Sequence, residues 1–147
     1  IAHDVLSEKV EVSGENVVVI GGGLVGFETA EFLAARQKKV TVLEMKEKAL
    51  QDLGPLRQIT AQFAIAQMPI TIETSATVER IDDKVVVASG KEYPYDSVIM
   101  AVGSKANDTS MYANLDIPTY IVGDCKKAGI ALDAFKDAYH AVLEINK

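Results

Sequence analysis

The stretch Asn16-Val17-Val18-Val19-Ile20-Gly21-Gly22-Gly23-Leu24-Val25-Gly26-Phe27-Glu28-Thr29-Ala30 decides the fold. It opens with a β-branched run, Val17 to Ile20, of the kind buried on both faces of a parallel sheet. Three glycines end that run. Leu24, Val25, Phe27, Ala30, Phe32, Leu33 and Ala34 then recur at helical spacing to about Arg36. Gly21, Gly23 and Gly26 satisfy the pattern G-x-G-x-x-G between a strand and a helix, the context in which it has physical meaning. The first glycine permits a tight turn, the second lets backbone approach a pyrophosphate, and the third lets helix and strand pack closely. The helix start at Leu24 and Val25 would offer unpaired N–H groups and a positive dipole end to that pyrophosphate.

Working outward, Val40-Thr41-Val42-Leu43-Glu44 predicts a second strand and closes a strand–helix–strand unit of about 30 residues. Glu44 lies at the end of that strand, where its carboxylate can accept hydrogen bonds from adenosine ribose hydroxyls and would repel a 2′-phosphate. NAD(H) is therefore favoured over NADP(H), with Lys46 and Lys48 as the opposing consideration. Met45 joins the same cofactor-binding set. Two other readings of the pattern stand beside this one: a glycine turn that only packs a helix, with Glu44 solvated, and another user of glycine loops such as a methyltransferase.

Beyond Glu44, Pro55 suits a first helical turn, and Leu56, Ile59, Phe63 and Ala66 repeat on one face. Ile70–Glu73 predicts a third parallel strand. The segments Thr77–Ile81, Lys84–Ala88 and Glu92–Tyr95, separated by Asp82-Asp83 and Ser89-Gly90, predict an antiparallel meander. Ser97–Val102 returns to the buried-strand pattern, and Tyr120-Ile121-Val122 predicts a last short strand. A closing helix from about Gly129 to Ile145 carries Ile130, Ala134, Ala138 and Val142 on one stripe, joined by Phe135 and Tyr139. The expected fold is α/β, a Rossmann-like parallel sheet with crossover helices and an inserted antiparallel β-meander. Residues 1–15 are expected to be a polar connecting arm.

The bulk properties narrow the function. The 147 residues suit one domain, and 48% hydrophobic residues can build a substantial core. A net charge of −6 without any basic run argues against nucleic acid. No apolar run approaches the roughly 20 residues that span a bilayer, no signal peptide is visible, and a cytoplasmic location is expected. The single Cys125 allows neither a CxxC pair nor a zinc cluster within the chain. His3 and His140 are isolated and show no metal-ligand spacing. The start at Ile1 instead of Met fits an excised segment.

Gly21 to Ala30, written GGGLVGFETA, resembles the GGGxxGxExA stretch of the NAD half of flavoproteins with two dinucleotide-binding domains. Met100-Ala101-Val102-Gly103-Ser104 is similar to the strand end at which that family's chain crosses back toward the flavin domain. Tyr120-Ile121-Val122-Gly123-Asp124-Cys125 is similar to its late FAD motif. Within the superfamily, Asp4-Val5-Leu6, the glycine turn, Val40–Glu44 and Gly123-Asp124-Cys125 most resemble 2,4-dienoyl-CoA reductase and clostridial enoate reductases.

The resemblance implies that residues 16–117 form an NAD(H)-binding domain and residues 118–147 the terminal strand and helix of an FAD-binding domain. It also implies a parent protein that carries FAD, with FMN and an iron–sulfur cluster in domains absent from this chain. In that parent, NADH would pass a hydride to FAD, and electrons would go on to an unsaturated substrate. The partners expected are therefore the dinucleotide and the remaining flavin domains.

By the same resemblance, Gly103, Gly123 and Asp124 belong to the cofactor-binding set, Asp124 as acceptor for the flavin ribityl chain. Its other reading is a turn cap before the helix. Glu28 would lie near the nicotinamide, or else be an ordinary first-turn helix carboxylate. Cys125 is read as packing. Two departures from the family stand out. Arg36-Gln37-Lys38 replaces the glycine expected at the end of the first helix, so a cap of another kind is expected, and Met68-Pro69 replaces Gly-Val before the third strand.

Two rival functions complete the expectations. One is a non-catalytic nucleotide-binding or protein-interaction module. The other is a single-domain dehydrogenase, opposed by the absence of Lys four residues after any tyrosine.

Overall fold

The computed structural model describes residues 1–51 and 53–145; the last two residues of the expected 118–147 segment lie outside the described residues. Two compact units are present, Ile1–Val102 and the remainder from Gly103. The division falls before the 117/118 change expected from the sequence.

The first unit opens with α1 (Ala2–Leu6), a single helical turn where a connecting arm was expected. Ala2 and Val5, three apart, are each 2% exposed and sit in the main core. So short a helix owes its existence to docking instead of propensity, and five residues are too few to show a period. There follow β1 (Asn16–Ile20), α2 (Leu24–Ala34), β2 (Lys39–Leu43), α3 (Pro55–Gln67) and β3 (Ile70–Glu73). Then come β4 (Val78–Ile81), β5 (Val85–Ala88), β6 (Lys91–Pro94) and β7 (Ser97–Met100).

Strands β3-β2-β1-β7 form one sheet in that order, with every pairing parallel. Alternation along β1 explains its unbroken apolar sequence. Val17 and Val19 enter a helix-side core with Ala30, Leu33, Val40 and Val42. Val18 and Ile20 enter a second core with Leu43, Val86 and Ala88. The second core is supplied by β4-β5-β6, the expected antiparallel meander, which covers the opposite sheet face. Its second hairpin turns through Ser89 and Gly90, both with positive φ, as a two-residue connection requires. Glu73, at the end of β3, accepts hydrogen bonds from Lys91 Nζ and Tyr93 Oη, each at 3.3 Å, and so ties β6 to the parallel sheet. Burial, then the Glu73 charge, pushes the Tyr93 phenol above its ordinary value.

Two helix expectations are corrected. At the end of α2, Gln37 itself adopts the left-handed conformation (φ 65°). Lys38 N donates to the Leu33 carbonyl at 3.1 Å and Gln37 N to that of Ala34 at 2.9 Å. This is the pairing that a glycine cap would make, so the cap is of the usual kind and only the residue differs.

In α3 the expected face is the wrong one. Leu56, Ile59 and Phe63 are 77%, 52% and 64% exposed, and Ala66 is exposed too. The buried side is Ala61, flanked by Ala64 and Ile65, against Phe27, Leu50 and Leu53. The helix has two apolar stripes, and the one with small side chains shares a buried cluster with Phe27 of α2. The Arg57–Glu31 ion pair at 2.7 Å joins the same two helices.

In the second unit, 3-10 turns at Ser110–Tyr112 and Gly123–Cys125 precede α4 (Ala131–Ile145). Tyr120–Val122 is not a strand here; strand-forming residue types alone do not make one without a paired edge. Of the expected α4 stripe, only Ala134 is half-buried, beside Gly123, whereas Phe135 and Tyr139 are 74% and 63% exposed. Asp137 fastens the helix to the turn, accepting from Lys126 Nζ at 2.8 Å and Gly123 N at 3.3 Å. The Lys126 hydrogen bond is the main reason its carboxyl lies below the usual range. No helix among the described residues is long and apolar enough to cross a membrane.

Candidate functional site: a glycine turn and a held carboxylate

The carboxyl ends of β1, β2 and β7 meet at the glycine turn, where Gly21 N donates to the Leu43 carbonyl and Ala101 N to that of Ile20. In an open α/β sheet this is where a ligand has access to loops and helix starts together. Gly21 has φ 108°, and a Cβ there would lie 2.4 Å from the Ala101 carbonyl oxygen. A Cβ on Gly26 would lie 1.9 Å from the Gly21 carbonyl oxygen. The close helix–strand approach expected of the third glycine is thus present. Gly23 caps α2 in extended conformation, its carbonyl accepting from Phe27 N at 3.0 Å. No side chain caps this end, and among the described residues no hydrogen bond occupies the N–H groups of Leu24, Val25 or Gly26. Three donors and the positive end of the helix dipole therefore remain for an anion.

Glu44 follows β2 directly. Its backbone is fixed on both sides, N to the Glu73 carbonyl at 2.8 Å and O from Ala76 N at 2.9 Å. The side chain is 8% exposed. Oε2 accepts from Gly22 N at 2.7 Å and Oε1 from Lys46 N at 2.8 Å. Each oxygen keeps a lone pair, so the carboxylate is oriented but still able to accept. Glu44 is therefore not solvated; it braces the glycine turn. Met45, next to it, is 69% exposed, and the Lys46 and Lys48 side chains are exposed.

The remaining expected residues divide by position. Leu24 is 39% exposed at the start of α2, and Val25 is half-buried with its carbonyl accepting from Thr29 Oγ1 at 2.7 Å. Glu28 is exposed, but α2 starts at Leu24, so Glu28 lies beyond the first turn, and its reading as a first-turn carboxylate does not hold. Gly103, Gly123 and Asp124 fall in the second unit. Asp124 Oδ1 accepts from Gly129 N at 3.2 Å, the turn-capping role. Cys125 is free and exposed there, not packed as expected.

Sequence reasoning passed over Gly22 and the loop after β2. A Cβ on Gly22 would lie 2.8 Å from Glu44 Cβ, 3.1 Å from Oε2 and 3.3 Å from Ala49 Cβ. Its carbonyl accepts from Leu50 N at 2.9 Å, which folds that loop onto the turn. The only signal was a glycine at a position where the motif allows any residue.

A strand–turn–helix of this form, with a carboxylate at the next strand end, defines a dinucleotide-binding α/β domain. A profile of the pyridine nucleotide-disulphide oxidoreductase family matches residues 2–134, and the chain belongs to that family. Its members are oxidoreductases that use FAD and NAD(P)H. The chain is 33% identical to an NADH oxidase of Thermoanaerobacter brockii, covering 98% of this chain and 24% of that protein. It is 34% identical to a cinnamate reductase of Clostridium sporogenes, covering 98% and 23%. Among solved structures, a 2-naphthoyl-CoA reductase in complex with 2-naphthoyl-CoA superposes with a TM-score of 0.79 at 30% identity, covering 93% of this chain and 22% of that one. The chain thus spans about a quarter of the length of the relatives it matches.

Proposed function

We propose that this chain is the NADH-binding region of a larger FAD-dependent oxidoreductase. Residues 16–117 hold the dinucleotide, and residues 118–147 complete a flavin-binding domain supplied by the rest of the parent. The observation that carries this reading is the Glu44 carboxylate, held at two points beside the uncapped start of α2. The Leu24 and Val25 N–H groups take the pyrophosphate, with Gly21, Gly23 and Gly26 keeping backbone within reach. The two unused lone pairs of Glu44 take the ribose diol, and a 2′-phosphate there would face a carboxylate. Met45 offers apolar surface to the adenosine.

Nicotinamide bound in this way would supply a hydride to flavin. This chain contributes orientation: Glu28, exposed on α2, would lie near the nicotinamide, and no residue is required as a general acid or base. Gly103 lets the chain leave the sheet toward the flavin domain, and Gly123-Asp124 meets the flavin once that domain is complete. The cinnamate and 2-naphthoyl-CoA reductases among the relatives favour a parent of the enoate reductase type. FMN and an iron–sulfur cluster then lie in its other domains, in the cytoplasm, and the acceptor is an unsaturated carboxylic acid or thioester.

Titration calorimetry of the chain with NADH, NADPH and FAD tests the reading. NADH should bind in the micromolar to millimolar range, as expected of a preformed but open site, and more tightly than the other two. Tighter binding of FAD would overturn the domain assignment, and tighter binding of NADPH the role of Glu44.

A further inference from the structure

Resting on the reading of this crevice as an NADH site, we infer that Gly22 is a positioning residue for dinucleotide selectivity, acting through Glu44. The motif needs glycine before and after this position, but places no demand on the position itself. The structure does. Gly22 N donates to Glu44 Oε2 at 2.7 Å, and its missing Cβ leaves the room in which the Glu44 stem lies. A Cβ would come 2.8 Å from Glu44 Cβ, an atom that the backbone hydrogen bonds to Glu73 and Ala76 keep in place. On its other side Ala49 Cβ would be 3.3 Å away, and the Gly22 carbonyl is engaged by Leu50 N. The strain therefore falls on the Gly22–Glu44 hydrogen bond.

That bond decides where the carboxylate points. With Lys46 N on Oε1, it turns both oxygens to one orientation and leaves one acceptor direction on each. Recognition of a ribose diol needs that orientation. Repulsion of a 2′-phosphate needs only the charge, which survives a loss of orientation. Gly22 thus serves NADH affinity without serving NADPH rejection, and the two effects are separable.

The test compares NADH and NADPH affinities of the full chain with those of Gly22→Ala and Glu44→Asp. The second variant keeps the charge while withdrawing the carboxylate by one methylene from Gly22 N; if Gly22→Ala fails to fold, exchange of the Gly22 amide in this variant decides whether the bond holds the carboxylate. NADH affinity should fall about tenfold in each, as for loss of one charge-assisted hydrogen bond, with NADPH affinity within about twofold of its original value. Exchange of the Gly22 amide with solvent, followed without any ligand, should be faster in Glu44→Asp than in the original chain. If the original chain prefers NADH and both variants keep its full affinity, the positioning role of Gly22 is overturned and the site stands. If the original chain shows no preference for NADH, the inference and the reading beneath it fall together.

Discussion

Asp96 gathers the entry to the central strand onto one oxygen: its Oδ2 accepts from the Asn16 backbone N at 2.8 Å and from Asn16 Nδ2 at 3.2 Å, and also from Glu15 N at 2.9 Å. These bonds, the Asn16 and Glu15 amides foremost, hold the carboxyl below its usual range. A depressed folded value means that the contribution to stability is complete above the unfolded value of about 4 and is lost as pH falls through the folded value. Melting of Asp96→Asn should therefore be lower than that of the original chain at neutral pH, with the gap closing in acid below about pH 4. A gap that stays constant across that range would show that the carboxylate is not the group responsible.

Gln37 occupies a left-handed conformation that glycine adopts without strain. Gln37→Gly should stabilise the chain by about 0.5–1 kcal/mol, the relief of strain less the added freedom of the unfolded chain. Gln37→Val should destabilise it, since a branched side chain is least tolerant there. Urea unfolding would show the midpoint move in opposite directions with little change in slope.

The two faces of α3 can be separated by substitution. Ala61 is fully buried, so Ala61→Leu should overpack the seam with Phe27 and cost about 1–3 kcal/mol. Phe63→Ser, on the exposed stripe, should stay within about 0.5 kcal/mol of the original stability. The reverse ranking would mean that the face predicted from periodicity is the one that packs.

Gly26→Ala places a methyl group 1.9 Å from the Gly21 carbonyl oxygen. Backbone cannot yield as a side-chain tip can, so α2 must move away from β1, at a cost of about 1–3 kcal/mol or more. Because that movement also carries off the Leu24 and Val25 N–H groups, NADH and NADPH binding should weaken together. A selective loss of one nucleotide would contradict this account.

Much of the first unit was legible because its signals are local and periodic. The apolar run Val17–Ile20, the glycines at 21, 23 and 26 and the strand Val40–Glu44 have few alternatives, and the meander announces itself through Ser89-Gly90. The held geometry of Glu44 was not legible, since it depends on Gly22 and Lys46 from separate turns. Nor was the fate of Tyr120–Val122, whose residue types suit a strand but cannot supply the neighbouring edge.

By itself the sequence determined the α/β class, the parallel order implied by strand–helix–strand units, and the glycine turn with a carboxylate at the next strand end. These follow from backbone sterics and from periods of two and 3.6 residues, which act over a few neighbours. Tertiary structure alone decided which stripe of α3 is buried, that Ala2 and Val5 make a helix of the expected arm, and that Gln37 accepts a left-handed cap. It also decided that Gly22 must lack a side chain. Each of these is settled by the shape and hydrogen-bonding groups of a distant segment, and side-chain spacing along the chain carries no record of them.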